Sequence, residues 1–159
     1  MNPLHDVQPG EGQALFIEVI PHNAALGLRY VESGIGRIVV DLPYQDHLVG
    51  DPETGVIAGG VITTMFDAVS GLSLLSKLPV LNRIATLDLR IDYLRPAKPG
   101  RTVRCTAECY KLTRHIGFTR AVAHDGDPDD PIGTAAGSFV VFGDDKRVSH
   151  FRAVPGAPS

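Results

Sequence analysis

The segment GGVITTMFDAVSGLSLLSKL, residues 59–78, decides the fold. Drawn as a helix, it has apolar side chains on nearly every side, which is typical of a helix buried within a domain or a membrane. Hydroxyl and carboxyl groups interrupt the apolar residues every few positions, and this disfavours a membrane span. The segment therefore predicts a long helix in the middle of a globular domain.

The sequence on either side of this helix predicts β-strands. Residues 28–44 are expected to form two short strands joined at SGIG, because its two glycines supply the backbone freedom of a tight hairpin. About six mostly antiparallel strands would pack one face of a sheet on the helix, which is an α+β fold. The later four strands are expected in runs rich in Val, Ile, Thr, Phe and Tyr, at 84–94, 102–112, 115–124 and 132–142.

Two of these runs also indicate which side chains share a face. In the second run, Cys105 and Cys109 are an even number of residues apart, so they lie on one side of the strand and no disulfide between them is expected. In the first run, strict alternation predicts one face with Ala85, Leu87, Leu89, Ile91 and Tyr93 and the opposite face with Thr86, Asp88, Arg90 and Asp92.

The length of the chain allows one domain. Its 159 residues are 43% hydrophobic and 21% charged, as in an ordinary globular protein. Tails are expected at 1–10 and 143–159, and a single domain at 11–142. Apolar residues between positions 15 and 20 predict a short outer helix that Pro21 ends.

Composition argues against several classes of function. The net charge of -3 without a dense basic run argues against nucleic-acid binding. No basic and apolar leader follows Met1, so the expected compartment is the cytoplasm. No histidine stands at zinc-motif spacing from the cysteines, and the acidic segment 125–130 lacks the length and closing Glu of a calcium loop. We therefore expect no metal.

Asp67 is a carboxylate in the middle of the apolar helix. A buried charge costs several kcal/mol unless it is paired. Thr63, Asp67 and Ser70 lie at positions i, i+4 and i+7, so they form a polar stripe that could hold water or substrate. Periodicity alone is equally compatible with an Asp67 that only hydrogen-bonds its neighbours.

Gly59 and Gly60 begin the same helix. Free amides and the positive end of the helix dipole favour a developing negative oxygen there, and glycine lets a ligand approach the backbone. Roughly 12 Å of helix separates the pair from Asp67 at 1.5 Å per residue. One subunit cannot bring both to one carbonyl, so a site that uses both is expected across a homodimer interface.

The segment VGDPETGVIAGGVITTMFD, residues 49–67, resembles the signature of hotdog-fold thioesterases of the phenylacetate-degradation (PaaI-like) group. The similarity continues through 86–100 and the PHNAALG segment at 21–27, and it covers residues 12–142. The resemblance implies a hotdog fold, in which an antiparallel sheet of about five to six strands wraps a long central helix. It also implies a homodimer, often paired into a homotetramer, that hydrolyses acyl-CoA at the subunit interface without a cofactor.

The resemblance assigns roles by position. Asp67 matches the family's acid, which acts as general base or nucleophile, and Gly59 and Gly60 match the amides that polarise the thioester carbonyl. Thr86 matches a small hydroxyl residue that helps to place the attacking water. Those four residues form the predicted catalytic set.

Two positions depart from the family pattern. Ala58 replaces the usual histidine, and loss of such a donor is worth roughly 10- to 1000-fold in rate. Asp51 replaces a frequent asparagine, and its charge would oppose an oxyanion unless it is protonated, paired or turned away. His22, His47 and His115 are alternative sources of an imidazole.

Several further residues are predicted to bind the substrate. Arg83, Arg95 and Lys98 flank a predicted core strand, where cations would suit the phosphates of CoA. Asp51, Ala58, Thr63 and Ser70 complete the predicted substrate-binding set.

Three functions remain open at this point. The leading hypothesis is a thioesterase for medium-chain or aryl-acyl-CoA. The departures at Ala58 and Asp51 motivate a non-catalytic acyl-CoA or acyl-lipid binding protein as the alternative. A hydratase is less favoured, because that chemistry usually pairs an aspartate with a histidine in one signature and this helix offers only Asp67.

Overall fold

The backbone follows the order of elements that the sequence predicts. The computed structural model describes residues 16–17, 19–79 and 82–143. A short helix and a hairpin come first, a long helix stands in the middle, and four long strands follow. The elements are α1 (Pro21–Leu26), β1 (Arg29–Gly34), β2 (Arg37–Leu42), a 3₁₀ turn (Asp46–Leu48), β3 (Val49–Asp51), β4 (Val56–Ile57), α2 (Gly59–Leu75), β5 (Ile84–Tyr93), β6 (Val103–Leu112), β7 (Ile116–His124) and β8 (Gly133–Val141).

Six strands form one antiparallel sheet in the order β1-β2-β6-β7-β8-β5. The other two strands, β3 and β4, form a small separate hairpin just before α2. Helix α2 packs on one face of the large sheet, and buried apolar side chains of both fill the space between them. The predicted α+β hotdog architecture is therefore confirmed.

Helix α2 carries many hydroxyl groups, and several of them bond to its own backbone. Thr64 donates to the carbonyl four residues earlier at 3.0 Å, and Thr63 Oγ1 lies 3.1 Å from the Gly59 carbonyl oxygen. Ser73 and Ser76 donate to the carbonyls three residues earlier, at 2.7 and 2.8 Å. A hydroxyl satisfied in this way can be buried at little cost. This bonding lets Ser73 be fully buried, whereas Thr63 is exposed and Thr64 and Ser76 are partly exposed.

Strand β5 contains a β-bulge, and the bulge changes which residues face the helix. The pairing with β8 shifts register between Thr86 and Asp88, so the intervening Leu87 has no partner. Thr86 faces α2, while Ala85 and Leu87 are exposed. The strict alternation predicted for this strand is therefore wrong in its first half, because the extra residue reverses it. Past the bulge the odd-numbered residues face the core, as predicted.

Both cysteines lie on the inner side of β6, as their even spacing predicts. Alternate residues of this strand are buried, and Cys105 and Cys109 are two of them. Both are free thiols.

The N-terminal segment covers part of the core. Residues 16, 17 and 19 are helical, the helix ends before Pro21, and Ile17 is buried in the core, in agreement with the predicted outer helix. The predicted tails at 1–10 and 143–159 lie outside the described residues, apart from position 143. The domain limits therefore stay a prediction.

Candidate active site

Asp67 lies on the face of α2 that is turned toward β5. Its side chain is half-buried, and Thr86 Oγ1 donates a hydrogen bond to Oδ1 at 2.8 Å. Thr86 reaches the helix because of the bulge at Leu87. No partner for the second carboxylate oxygen occurs among the described residues, so this oxygen is free to accept a proton from water. The structure therefore brings the predicted Asp67 and Thr86 together.

The N-terminus of α2 is open at its two glycines. Gly59 and Gly60 are exposed, and their amides have no acceptor within the described part of the chain. The N-cap residue, Ala58, makes no side-chain hydrogen bond. A Cβ built on Gly60 would have no heavy atom within 4 Å, so a ligand can approach the backbone there. Free amides at this end of a helix favour an oxygen that gains negative charge.

The hairpin β3–β4 packs closely against the start of α2. The Ala58 amide donates to the Leu48 carbonyl at 2.9 Å. A Cβ built on Gly50 would lie 2.7 Å from the Cα of Ala58, which leaves no room for a side chain at position 50. Glycine at this position therefore lets the hairpin fix the backbone that leads into the helix.

The Asp51 carboxylate is bonded within its own turn. Thr54 Oγ1 donates to Oδ2 at 2.6 Å, and the Glu53 amide donates to Oδ1 at 3.1 Å. The hydrogen bond from Thr54, with that from Glu53, lowers the pKa of Asp51 below its usual value. Of the alternatives set out for this residue, the structure therefore favours a carboxylate that is ionised and paired.

Tyr93 is a residue of this region that the sequence did not identify as functional. Its hydroxyl donates to the Gly59 carbonyl at 2.8 Å and lies 2.6 Å from Thr63 Oγ1. The alternation of β5 predicted that Tyr93 faces the helix, but 34 residues separate it from Gly59 in the chain. Only the packing of the strand on the helix shows which residues it meets.

A cleft of about 360 Å³ opens beside the start of α2. Gly59, Tyr93 and Arg95 contribute to its wall. Its other lining residues are apolar, as suits the uncharged part of a ligand. They are Val56, Ile57, Ile62, Leu94, Pro96, Ala97 and Ile132.

Arg95 is engaged by two aspartates. Its Nη1 and Nη2 donate to Asp125 at 2.9 and 2.7 Å, and its Nε lies 2.9 Å from a carboxylate oxygen of Asp130. The Asp125 side chain is only 1% exposed and also accepts the Lys98 amide at 2.7 Å. These hydrogen bonds, Arg95 first, hold the pKa of Asp125 well below its usual value. The Arg95 guanidinium is therefore occupied by structural ion pairs.

The other two predicted cations are exposed. Lys98 lies near the end of β5 that approaches Gly59, and Arg83 lies just before the opposite end, 5.7 Å from the centroid of the Phe142 ring. The three cations are therefore not one cluster within a single chain. Two of them are near one end of β5 and the third is near the other.

The polar stripe on α2 does not stay open along its whole length. Thr63 is exposed and Asp67 is half-buried, but Ser70 is only 1% exposed. Its Oγ has no hydrogen-bond partner among the described residues. Ser70 therefore belongs to the packed part of the helix, and a bound substrate would meet Thr63 and Asp67 first.

The predicted site residues fall into two groups at opposite ends of β5. Near its beginning, Thr86 bonds Asp67, and at its end Tyr93 bonds Gly59. In the described sheet β5 is an edge strand that pairs with β8 alone. Leu87 on this strand is 57% exposed and Tyr93 is 53% exposed. A long edge with exposed large side chains is a surface suited to pairing.

The described residues hold neither a candidate metal site nor a helix fit to span a membrane. No group of three or more His, Cys, Asp or Glu side chains there could hold a metal ion. None of the helices in the described ranges has the length and apolar character needed to cross a membrane.

Comparison with known proteins gives consistent results. Residues 54–132 match the family model described as the thioesterase superfamily. Medium/long-chain acyl-CoA thioesterase YigI of Salmonella typhimurium is 30% identical over 129 residues, covering 71% of this chain and 81% of the relative. A Halobacterium salinarum protein, provisionally named an esterase, is 32% identical over 129 residues. The match covers 76% of this chain and 83% of that relative.

Solved structures share the fold. A Pseudomonas aeruginosa crystal structure is 39% identical with a TM-score of 0.74, covering 80% of this chain and 95% of that one. The structure of the E. coli PaaI protein from the phenylacetic acid degradation operon has a TM-score of 0.72 at 18% identity, with 81% and 89% covered. At that identity the similarity concerns the fold alone.

Proposed function

The chain belongs to the hotdog-fold thioesterase superfamily, and from this premise we propose that it hydrolyses medium-chain or aryl-acyl-CoA thioesters at a site shared by two subunits. The Salmonella typhimurium relative, named for medium- and long-chain acyl-CoA, supports the substrate class. The apolar cleft beside Gly59 supports an acyl or pantetheine group next to the thioester. Thioester hydrolysis needs an oxyanion site and a base, and we assign these roles to the Gly59 and Gly60 amides and to Asp67.

The proposal of a shared site rests on one observation, which is the pair of contacts at opposite ends of β5. Asp67 bonds Thr86 near the beginning of the strand, and Gly59 bonds Tyr93 at its end. If the free edge of β5 pairs antiparallel with its copy, a two-fold axis near mid-strand places the beginning of one strand beside the end of the other. Asp67 of one subunit then approaches Gly59 and Gly60 of its partner. A homodimer, which can pair into a homotetramer, is thus part of the proposal.

The chemistry follows from the two groups. The Gly59 and Gly60 amides hydrogen-bond the thioester oxygen as it gains negative charge. Asp67, held by Thr86, takes a proton from water while the water oxygen attacks the carbonyl carbon. The carbon–sulfur bond then breaks, the proton passes to the leaving thiolate, and free acid and CoA thiol are released. Direct attack by Asp67, with water cleaving the resulting anhydride, gives the same products.

The charged end of CoA needs cations at the mouth of this site. In an antiparallel dimer, Arg83 of the partner subunit lies at the same end as Lys98. Both side chains are exposed, whereas Arg95 is already paired with Asp125. We assign phosphate binding to Arg83 and Lys98. The role we assign to Arg95 is to maintain the shape of the cleft wall.

Thiol release from a panel of short-, medium- and long-chain and phenylacetyl-CoA esters tests the activity. The wild type is expected to release thiol, and Asp67→Asn is expected to lower kcat by roughly 100-fold or more, because the amide cannot accept the proton. Glu108→Gln is the matched control, a carboxylate-to-amide change in an exposed ion pair with Arg120. It should leave kcat unchanged.

Two outcomes would contradict the proposal. Full turnover by Asp67→Asn would remove Asp67 from the mechanism. Tight acyl-CoA binding without thiol release by the wild type would instead favour the binding protein, an alternative motivated by Ala58, which has no side-chain donor. In that case Ala58→His should introduce turnover.

A further inference from the structure

Two hydroxyl groups meet at the first carbonyl of α2. Tyr93 Oη lies 2.8 Å from the Gly59 carbonyl oxygen, Thr63 Oγ1 lies 3.1 Å from it, and the two hydroxyls are 2.6 Å apart. Each hydroxyl has one proton to donate. With Thr63 donating to Tyr93, and Tyr93 donating to the carbonyl, every proton in this triangle has an acceptor. In this arrangement Tyr93 is the hydroxyl that donates the hydrogen bond to the Gly59 carbonyl.

The Gly59 carbonyl and the Gly60 amide belong to the same peptide group. A hydrogen bond to the oxygen of a peptide draws electron density from its nitrogen and strengthens the N–H as a donor. It also fixes the peptide plane. The Gly60 amide is exposed and has open space above it. The hydrogen bond from Tyr93 to the carbonyl on one side of this peptide therefore affects the Gly60 amide on its opposite side.

We infer that Tyr93 is a positioning residue that, together with Thr63, orients and polarises the Gly59–Gly60 peptide, so that the Gly60 amide stabilises the oxyanion. The inference rests on the proposed function, since it gives that amide its role. Ala58, next to this peptide, has no side-chain donor. Tyr93 therefore supplies from β5 an ordering contact that the preceding residue does not provide.

A purely structural cap does not account for this arrangement. The unsatisfied groups at a helix N-terminus are amide donors, so a cap must offer an acceptor. Tyr93, which accepts from Thr63, offers a donor to a carbonyl instead. The contact is better suited to tuning the peptide than to closing the helix.

Steady-state kinetics on the full chain provides the first test. Tyr93→Phe is expected to lower kcat roughly 10-fold with KM within about two-fold, because the lost stabilisation belongs to the transition state. Thr63→Val should act in the same direction, and Thr63→Ser, which keeps the hydroxyl, should restore kcat. Tyr110→Phe is the matched control, because Tyr110 lies beside Arg120 and its hydroxyl bonds no described residue.

The carbonyl stretch of a bound ester is the second readout. In an Asp67→Asn background, an acyl-CoA labelled with carbon-13 at the thioester carbonyl should show a lowered frequency when bound. Adding Tyr93→Phe should move this frequency back toward its value in solution, whereas a structural loss would reduce occupancy without changing the frequency. This readout does not depend on turnover.

The outcomes separate the two proposals. Turnover by the wild type that Tyr93→Phe leaves unchanged, with no frequency shift, would overturn the role of Tyr93 and leave the thioesterase assignment standing. Failure of the wild type to hydrolyse any ester of the panel would overturn both. A fall in kcat that Thr63→Ser avoids, together with the frequency shift, would support the positioning role.

Discussion

At the scale of single residues, Gly60 and Gly50 require glycine for different reasons. A side chain at position 50 would collide with the backbone of Ala58, so that glycine is required by packing. Position 60 has open space around it, so packing alone does not require glycine there. A ligand that approaches the backbone would require it. Packing therefore accounts for the glycine at position 50, and the proposed approach of a ligand would account for the one at position 60.

Gly60→Ala tests this distinction. Alanine is the better helix former by up to about 1 kcal/mol, so the free energy of unfolding should be unchanged or higher. The added methyl group would occupy the approach to the amide, so kcat/KM should fall at least roughly 10-fold. Thermal unfolding and thiol release on the same sample measure both. Gly34→Ala, also without neighbours within 4 Å, is the control, and equal losses in both variants would refute the role of Gly60.

Sequence alone predicted part of the residue-scale picture. Asp67 and the glycine pair could be singled out, because a charge in an apolar helix and free amides at its start have a physical cost or use of their own. The resemblance gave Thr86 only an expected role in placing water, and its hydrogen bond to Asp67 became known from the structure. Tyr93 was missed, since a tyrosine in a strand is an ordinary core residue until the packing shows what its hydroxyl contacts.

At the scale of elements, the segment after β5 is joined to the turn after β7 by one buried carboxylate. Asp125 accepts two hydrogen bonds from Arg95 and one from the Lys98 amide. Both Arg95 and Ala97 line the cleft, so this ion pair holds part of its wall. From the sequence, the acidic segment 125–130 could be said only to lack the features of a calcium loop. Its first aspartate has a further structural role that no spacing rule indicates.

Asp125→Asn should therefore make stability less dependent on pH. Its hydrogen bonds to Arg95 lower the pKa of Asp125 in the folded state below the usual value of 3.8, so its contribution is fully present above that value and is lost as the pH falls below it. At pH 7 the variant should melt roughly 5 °C below the wild type. Thermal unfolding between pH 7 and pH 2 should show this gap narrowing below about pH 4. A gap that stays constant would refute the role of the ion pair.

At the scale of the whole molecule, the strand order could be anticipated only in outline. One sheet face against one central helix followed from the apolar pattern, and the structure confirms it. Apolar periodicity does not state which strands are neighbours, because every strand shows the same alternation. Only the observed strand pairing shows that β5 lies at an edge of the sheet. This position is what makes a shared site geometrically possible.

Mixing two inactive variants tests the shared site. If Gly60 of one subunit works with Asp67 of the other, a heterodimer of Asp67→Asn and Gly60→Ala has one intact site and one doubly altered site. Random mixing should then restore about a quarter of wild-type activity. Co-expression with two affinity tags isolates the heterodimer, and thiol-release assays on it should give about half of wild-type activity, since one site of two is intact. If each site lies within one subunit, the purified heterodimer would be as inactive as its parents.

The bulge at Leu87 determines whether even-numbered or odd-numbered residues of β5 face α2. Thr86 is even-numbered and Tyr93 is odd-numbered, yet both contact α2, because the bulge adds half a period to the strand between them. Deletion of Leu87 would remove the bulge and leave six residue steps between Thr86 and Tyr93, an even number, so both contacts would stay on the helix-facing side of a regular strand. A single residue inserted elsewhere between these positions would instead turn one of the two contacts to the opposite face, whereas an inserted pair would not. The strand therefore acts as a spacer whose residue count matters as much as its composition.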